Sequence, residues 1–381
     1  MRLVLLLALL AAVPSTHADD GDAVRVLPAP ADCGPLAPRA REACLLQSRG
    51  VDAARSRTLA RFNAGVDRYL ADLEAALSST GDARDRVLSA RIAAWVARRA
   101  QSLDAGGFPD AMDFARSHER AAVLASAQRR GADDVLVQWM LATDAITLPY
   151  PDLRRDAIAR LLELEPDNLA AHLLAVDVLV EGERLAPPPD EAGYDSHHYE
   201  RLRAYLEAVE RHPPPQRLAR QSPNGPVEVD VLGAMLAVGL WTDDAAPVYQ
   251  ATSARCAPAL DGTTQAPREA CLRIADVLIE RGDTLLARNL GLAIRQRLEA
   301  DPERVEALRA QRRQLAWQSL RSAELMPTPE QDPARFRDWL RKVRAPDTDE
   351  VELIRATLRE LGEPLDPPPY WRPQTQMQRR V

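Results

Sequence analysis

Residues 59–77 read LARFNAGVDRYLADLEAAL, and within them Leu59, Phe62, Val66, Tyr69, Leu73 and Leu77 recur at steps of three and four. That spacing lines side chains along one face of a 3.6-residue turn, so it predicts an amphipathic helix, beginning near Val51. Leu88, Ile92, Trp95, Val96 and Leu103 repeat the pattern in a second helix, which Ala105-Gly106-Gly107-Phe108-Pro109 ends. Further helical spacing runs near 111–129, 133–146, 152–164, 168–182, 196–211, 227–240, 243–253, 267–281, 284–299, 302–325, 333–342 and 347–361. Alternation of the kind a half-buried strand needs is not found over any useful length. Asp301-Pro302, Thr328-Pro329 and Asp332-Pro333 each put a capping oxygen ahead of a proline, which suits a helix start because the first turn has no partner for that missing N–H.

Composition agrees with an all-α fold. Aromatic residues make up 4% of the 381, and Ala, Leu and Arg dominate, a mixture that favours helix over strand. The length exceeds one ordinary compact domain, leaving two helical domains or one α-solenoid or irregular helical array. Pro-rich breaks divide the chain into an N-terminal helical region (19–184), a hinge with one helix (185–226), a C-terminal helical region (227–363) and an extended tail (364–381). The formal charge of −7, with signs interspersed and no basic block, argues against nucleic acid and anionic membrane surfaces as partners. Lys342 is the one lysine, an imbalance read as codon bias rather than as an arginine-specific function.

Met1-Arg2, an apolar run from Leu3 to Val13 and the small-residue exit Pro14-Ser15-Thr16-His17-Ala18 have the form of a secretory signal peptide cut after Ala18. The run is about half the length of a membrane-spanning helix. The chain is therefore expected to be exported, periplasmic or secreted, with no integral span once residues 1–18 are removed. In an oxidising compartment paired cysteines close into disulfides. Cys33 and Cys44 stand in DCGPLAPRAREACLLQ, and Cys256 and Cys271 in RCAPALDGTTQAPREACLRI. Four cysteines allow three pairings. Local pairing, Cys33 with Cys44 and Cys256 with Cys271, is chosen because both loops are short and both end in Arg-Glu-Ala-Cys-Leu. Neither pair has CxxC spacing or a nearby histidine, so a redox or metal site is disfavoured.

Arg155 to Val180 reads RDAIARLLELEPDNLAAHLLAVDVLV. Leu162-Glu163-Leu164-Glu165-Pro166-Asp167-Asn168 before an Ala/Leu-rich helix resembles the junction between two tetratricopeptide repeats, a family of 34-residue helix–turn–helix units. The likeness covers about two units within 120–182. Laid on that offset, Gln138 and His172 take the positions the family gives to tryptophan, and no glycine stands at the usual helix crossing. The resemblance implies a solenoid presenting a groove to a peptide or protein. It carries over no binding residues, since none here match a specific peptide clamp.

No catalytic or cofactor-binding signature emerges, and none is assigned. His197-His198, with Asp195, Glu200 and His212 nearby, is the one histidine cluster. Adjacent histidines diverge by about 100° around a helix, so two cannot readily grip one ion. Ser196 is expected to be the N-cap and the histidines solvated first-turn residues. His118-Glu119 does not continue into HExxH. Asp133-Asp134 and Asp243-Asp244 fall at helix starts, where the dipole favours carboxylates. Arg309, Arg312, Arg313 and Arg321, flanked by glutamates, form a solvated helix face. Pro367-Pro368-Pro369-Tyr370 has the form bound by WW modules, but Tyr370 and Trp371 are expected to anchor the tail on the helical body. The functional expectation is an exported, non-catalytic helical-repeat protein that mediates protein or peptide interactions in the cell envelope. Beside it stand two rivals: an envelope enzyme acting on peptidoglycan or peptides, and a secreted inhibitor or toxin-neutralising protein.

Overall fold

A computed structural model describes residues 59–372, apart from 104–110, 144, 148, 177–187, 190, 223–224, 243–251, 254–255, 257–264, 326–328, 330 and 347. The signal segment, Cys33, Cys44, Asp243, Asp244 and Thr328 lie outside the described residues. Those described are helical with no strand; the nearest approach to one is an isolated bridge between Asn168 and Gly193.

Helix α1 covers 59–78, and five of its six stripe residues, Phe62 to Leu77, are buried. Each fully buried leucine or phenylalanine contributes about 1.5–3 kcal/mol before chain entropy is charged. Helices α2 (Ala83–Leu103) and α3 (Ala111–Arg130) follow, then α4 (Val135–Thr143), α5 (Pro151–Leu164) and α6 (Leu169–Val176). Asp134 caps α4 by accepting from the Leu136 and Val137 amides and also pairs with Arg84, while Asp133 pairs with Arg160. Asp134 thus does helix-end work, whereas Asp133 serves as an ion-pair partner. Helices α4, α5 and α6 pack in succession, compatible with a helical-repeat fold. Gln138 is fully buried and donates to the Gly131 carbonyl at 2.7 Å, and the His172 ring bonds the Pro166 carbonyl.

Helix α7 (His198–Arg211) crosses to the second half, followed by a short α8 (Gln216–Ala219) inside the second Pro-rich break, where no helix is expected from the sequence. Helix α9 (Val229–Thr242) is apolar nearly all round and is buried accordingly. Helices α10 (Gln265–Arg281), α11 (Leu285–Leu298), α12 (Pro302–Leu325), α13 (Pro333–Val343) and α14 (Glu350–Glu360) complete the array. The expected caps are in place at Asp301, which accepts from Glu303, and at Asp332, which accepts from Arg335. Gly291 lets α11 approach α10 closely: a Cβ there would lie 2.8 Å from the Ala275 carbonyl oxygen.

One apolar cluster runs from Phe62 to Leu353, and a smaller one surrounds Cys256 and Cys271. The two sulfurs of this pair are 2.10 Å apart, at disulfide distance. Buried Asp85 on α2 accepts both arms of the Arg211 guanidinium on α7, at 2.5 and 2.9 Å. Burial pushes that carboxyl up, but the Arg211 bonds outweigh it and hold it below the usual range. On α12, Arg309 pairs with Glu306, and Arg321 with Glu324 and Glu363. The tail lies on α12, where Trp317 donates to the Pro364 carbonyl, Gln318 to that of Leu365, and Trp371 packs edge-on to Trp317. Trp371 therefore anchors the tail, whereas Tyr370 is 84% exposed and does not.

Candidate functional site

His197 is buried and His198 half-buried, so the pair is not the solvated first turn expected from the sequence. His197 is itself the N-cap of α7, with φ +50°, and Ser196 turns away from the helix. The His197 amide donates to Asp195 at 2.7 Å; its Nδ1 meets Glu200 Oε2 at 2.7 Å and its Nε2 meets Glu165 at 2.9 Å. Burial alone favours the neutral ring. The Glu165 hydrogen bond and the charges of Asp195 and Glu165, with Glu200, outweigh it and push the imidazole up to about 9. A ring that donates from both nitrogens has no lone pair for a metal ion. His198, one residue on, points elsewhere: it lies against Trp241 and Tyr199, and burial, with Arg201 nearby, holds it down at about 3.

The node is a junction of four chain segments. Asn168 bridges Glu165 and the Asp195 backbone, Trp139 donates to the Ser196 carbonyl, and the Ser196 amide and hydroxyl donate to Asp283 at 2.8 and 2.9 Å. Asp283 sits in the turn before α11, where burial pushes it up to about 6. Behind it, Glu350 accepts the Leu285 amide of α11 and burial raises it to about 7, with Asp283 and Asp349 adding to the rise. Asp349 caps α14 and pairs with Arg288. Each of these groups closes a helix end or a turn. Their chemistry joins the N-terminal helices to α11 and α14.

An open cleft lies on another face, between α7, α8, α9 and α13, with a volume of about 930 Å³. Leu206, Val209, Ala234 and Leu340 make an apolar floor, and Pro213 and Pro214 form part of the wall. The rim is charged: Arg337 pairs with Glu228 and Asp230, both at 2.7 Å, and Arg344 pairs with Glu210. Arg220, also on the rim, has no acidic partner among the described residues. Among the described residues no serine, threonine, cysteine, histidine, tyrosine or lysine lines this cleft. Its acids are each held by an arginine, so what it offers a ligand is apolar contact and a rim with one cation in excess.

Spacing along the chain singled out the histidine pair and missed the cleft. Asp230 and Arg337 are 107 residues apart, and neither lies in a motif. The one local signal is the strong amphipathicity of α13, whose apolar face, Phe336, Leu340 and Val343, is buried while Arg337 and Arg341 reach the rim. Among the described residues no cluster of three or more metal-ligating side chains occurs, and no helix is long and apolar enough to cross a membrane. No protein-family model, no curated protein and no solved structure matches this chain.

Proposed function

We propose that this chain is an exported, non-catalytic helical-repeat protein of the cell envelope that binds an extended segment of a protein partner in the cleft between α7, α8, α9 and α13. The observation that supports it best is the cleft itself: an apolar floor of peptide-binding size, a charged rim and, among the described residues, no nucleophile or unpaired acid–base couple lining it. The excess cation on the rim, Arg220, selects a segment with bulky apolar side chains and an acidic flank. The tetratricopeptide-like junction at 162–168 and the packing of α4, α5 and α6 are consistent with a repeat array, and the signal-like first 18 residues with export.

Fluorescence anisotropy against a panel of synthetic peptides tests this, with apolar triplets flanked by acidic or by basic residues. Acid-flanked peptides are expected to bind saturably, and Arg220→Glu and Val229→Asp to weaken them by about tenfold. Arg220 is exposed whereas Val229 is half-buried against the apolar core, so an unchanged thermal midpoint by circular dichroism is required of each variant before its affinity is compared. Absence of saturable binding across the panel, or an affinity untouched by both substitutions, would overturn the proposal. N-terminal sequencing of the protein recovered from a periplasmic fraction should begin at Asp19.

A further inference from the structure

On the opposite side of α8 from the cleft lies a second, smaller cavity of about 250 Å³, formed by α1 and α8. Arg61, Gly65, Arg68 and Asp72 of α1 line it at spacings of four, three and four, hence along one helix face. From α8 come Arg217 and Leu218, with Gln221 just beyond. Gly65 makes the approach possible, because a Cβ there would meet Leu218 Cδ1 at 2.7 Å. The absent side chain lets α8 seat Leu218 against α1, and Arg217 lines the same cavity as Arg61 and Arg68.

Three arginines line this one small cavity in a chain whose net charge is −7. Several exposed arginines elsewhere on this surface close onto acids: Arg84 onto Asp134, Arg337 onto Asp230, Arg344 onto Glu210. In this cavity the lining acid, Asp72, pairs with none of the three, and Arg61, Arg68 and Arg217 have no acidic partner among the described residues. Like charges held around one small concavity repel unless an anion lies between them. Three cations against one carboxylate leave a surplus of two positive charges, and the planar guanidinium fork matches the oxygens of a tetrahedral oxyanion. Tyr69, also in the wall, has its hydroxyl committed to the His212 carbonyl at 2.8 Å, so the donors this lining can offer an anion are those of the arginines and Gln221.

We infer that Arg61, Arg68 and Arg217 form a binding site for a doubly charged phosphate group, separate from the peptide cleft and not dependent on it. The group is either free, as inorganic phosphate or a soluble phosphomonoester, or carried on a lipid headgroup.

Isothermal titration of the full mature chain with inorganic phosphate at low ionic strength tests the site, since exposed charges are screened by salt. One saturable site is expected. Arg68→Gln combined with Arg217→Gln should weaken it by about tenfold or more, and Asp72→Asn should tighten it by about threefold, an opposite sign that general destabilisation cannot produce. All three positions are exposed, and an unchanged thermal midpoint by circular dichroism verifies the fold. Sedimentation with phosphatidylglycerol vesicles against pure phosphatidylcholine vesicles separates the sources: phosphate binding without vesicle binding assigns a soluble ligand, and binding to both assigns a headgroup. Absence of saturable phosphate binding, or an affinity equal in the wild type and the double variant, would overturn the site.

Discussion

Replacing His197 by asparagine removes an imidazolium from between Glu165 and Glu200 while keeping a residue that tolerates the left-handed backbone at φ +50°. The ring is raised above its ordinary value, so its protonated form is the one the fold favours. Its contribution is complete below about pH 6.5 and is lost as pH rises through 9. A shift from an ordinary value near 6.5 to about 9 corresponds to about 3 kcal/mol at pH 6, about 2 at pH 7.5 and well under 1 at pH 9. Burial makes this figure usable, for the His197 side chain is 8% exposed. Urea unfolding followed by circular dichroism, on wild type and His197→Asn at those three pH values, measures it. Taking the difference at each pH cancels the titration of groups common to both proteins, Asp283, Glu350 and His198 among them. The gap is expected to narrow by about 2–3 kcal/mol between pH 6 and 9. A gap that stays constant across that range would mean a neutral ring in the fold, and the two-carboxylate account of the junction would fail.

Glu350→Gln should act in the opposite sense. Its carboxyl is raised to about 7 by burial, so the charged form costs stability as pH climbs out of the ordinary carboxylate range through 7. An amide can still accept the Leu285 N–H, so the variant is expected to be more stable than wild type by about 1–2 kcal/mol at pH 8, discounted for partial solvent contact, and indistinguishable at pH 4. Thermal melts at the two pH values decide it, and a destabilised variant at pH 8 would contradict it. Cys271→Ser opens a loop whose cysteines are 15 residues apart and should cost about 3 kcal/mol in the chain-entropy view. Dithiothreitol should lower the wild-type midpoint and leave that cysteine pair's double serine variant unmoved.

The helices were legible because their signal is local. The stripe of α1, the Asp332-Pro333 start of α13 and the bounds of α12 at Pro302 and Leu325 all follow from residues within one or two turns of each other. Short α8 was not legible: four residues between Pro215 and Arg220 carry too little periodicity to register, and the segment is helical where it packs Leu218 against α1. The histidine pair shows the same boundary from the other side. Its position was visible, but its environment was not, since Glu165, Trp139 and Asp283 come from segments 32, 57 and 87 residues away from the His197–Ser196 corner.

What the amino-acid order determined by itself is the all-α character, the placement of most helices, the caps and the nearness of Cys256 to Cys271, because each depends on neighbours along the chain. Only the tertiary structure decided which charges meet. Asp85 with Arg211, Asp230 with Arg337 and the unpaired trio Arg61, Arg68 and Arg217 are set by how helices far apart in sequence pack. Coulomb energy depends on distance in space and on burial, and neither is a property of sequence separation.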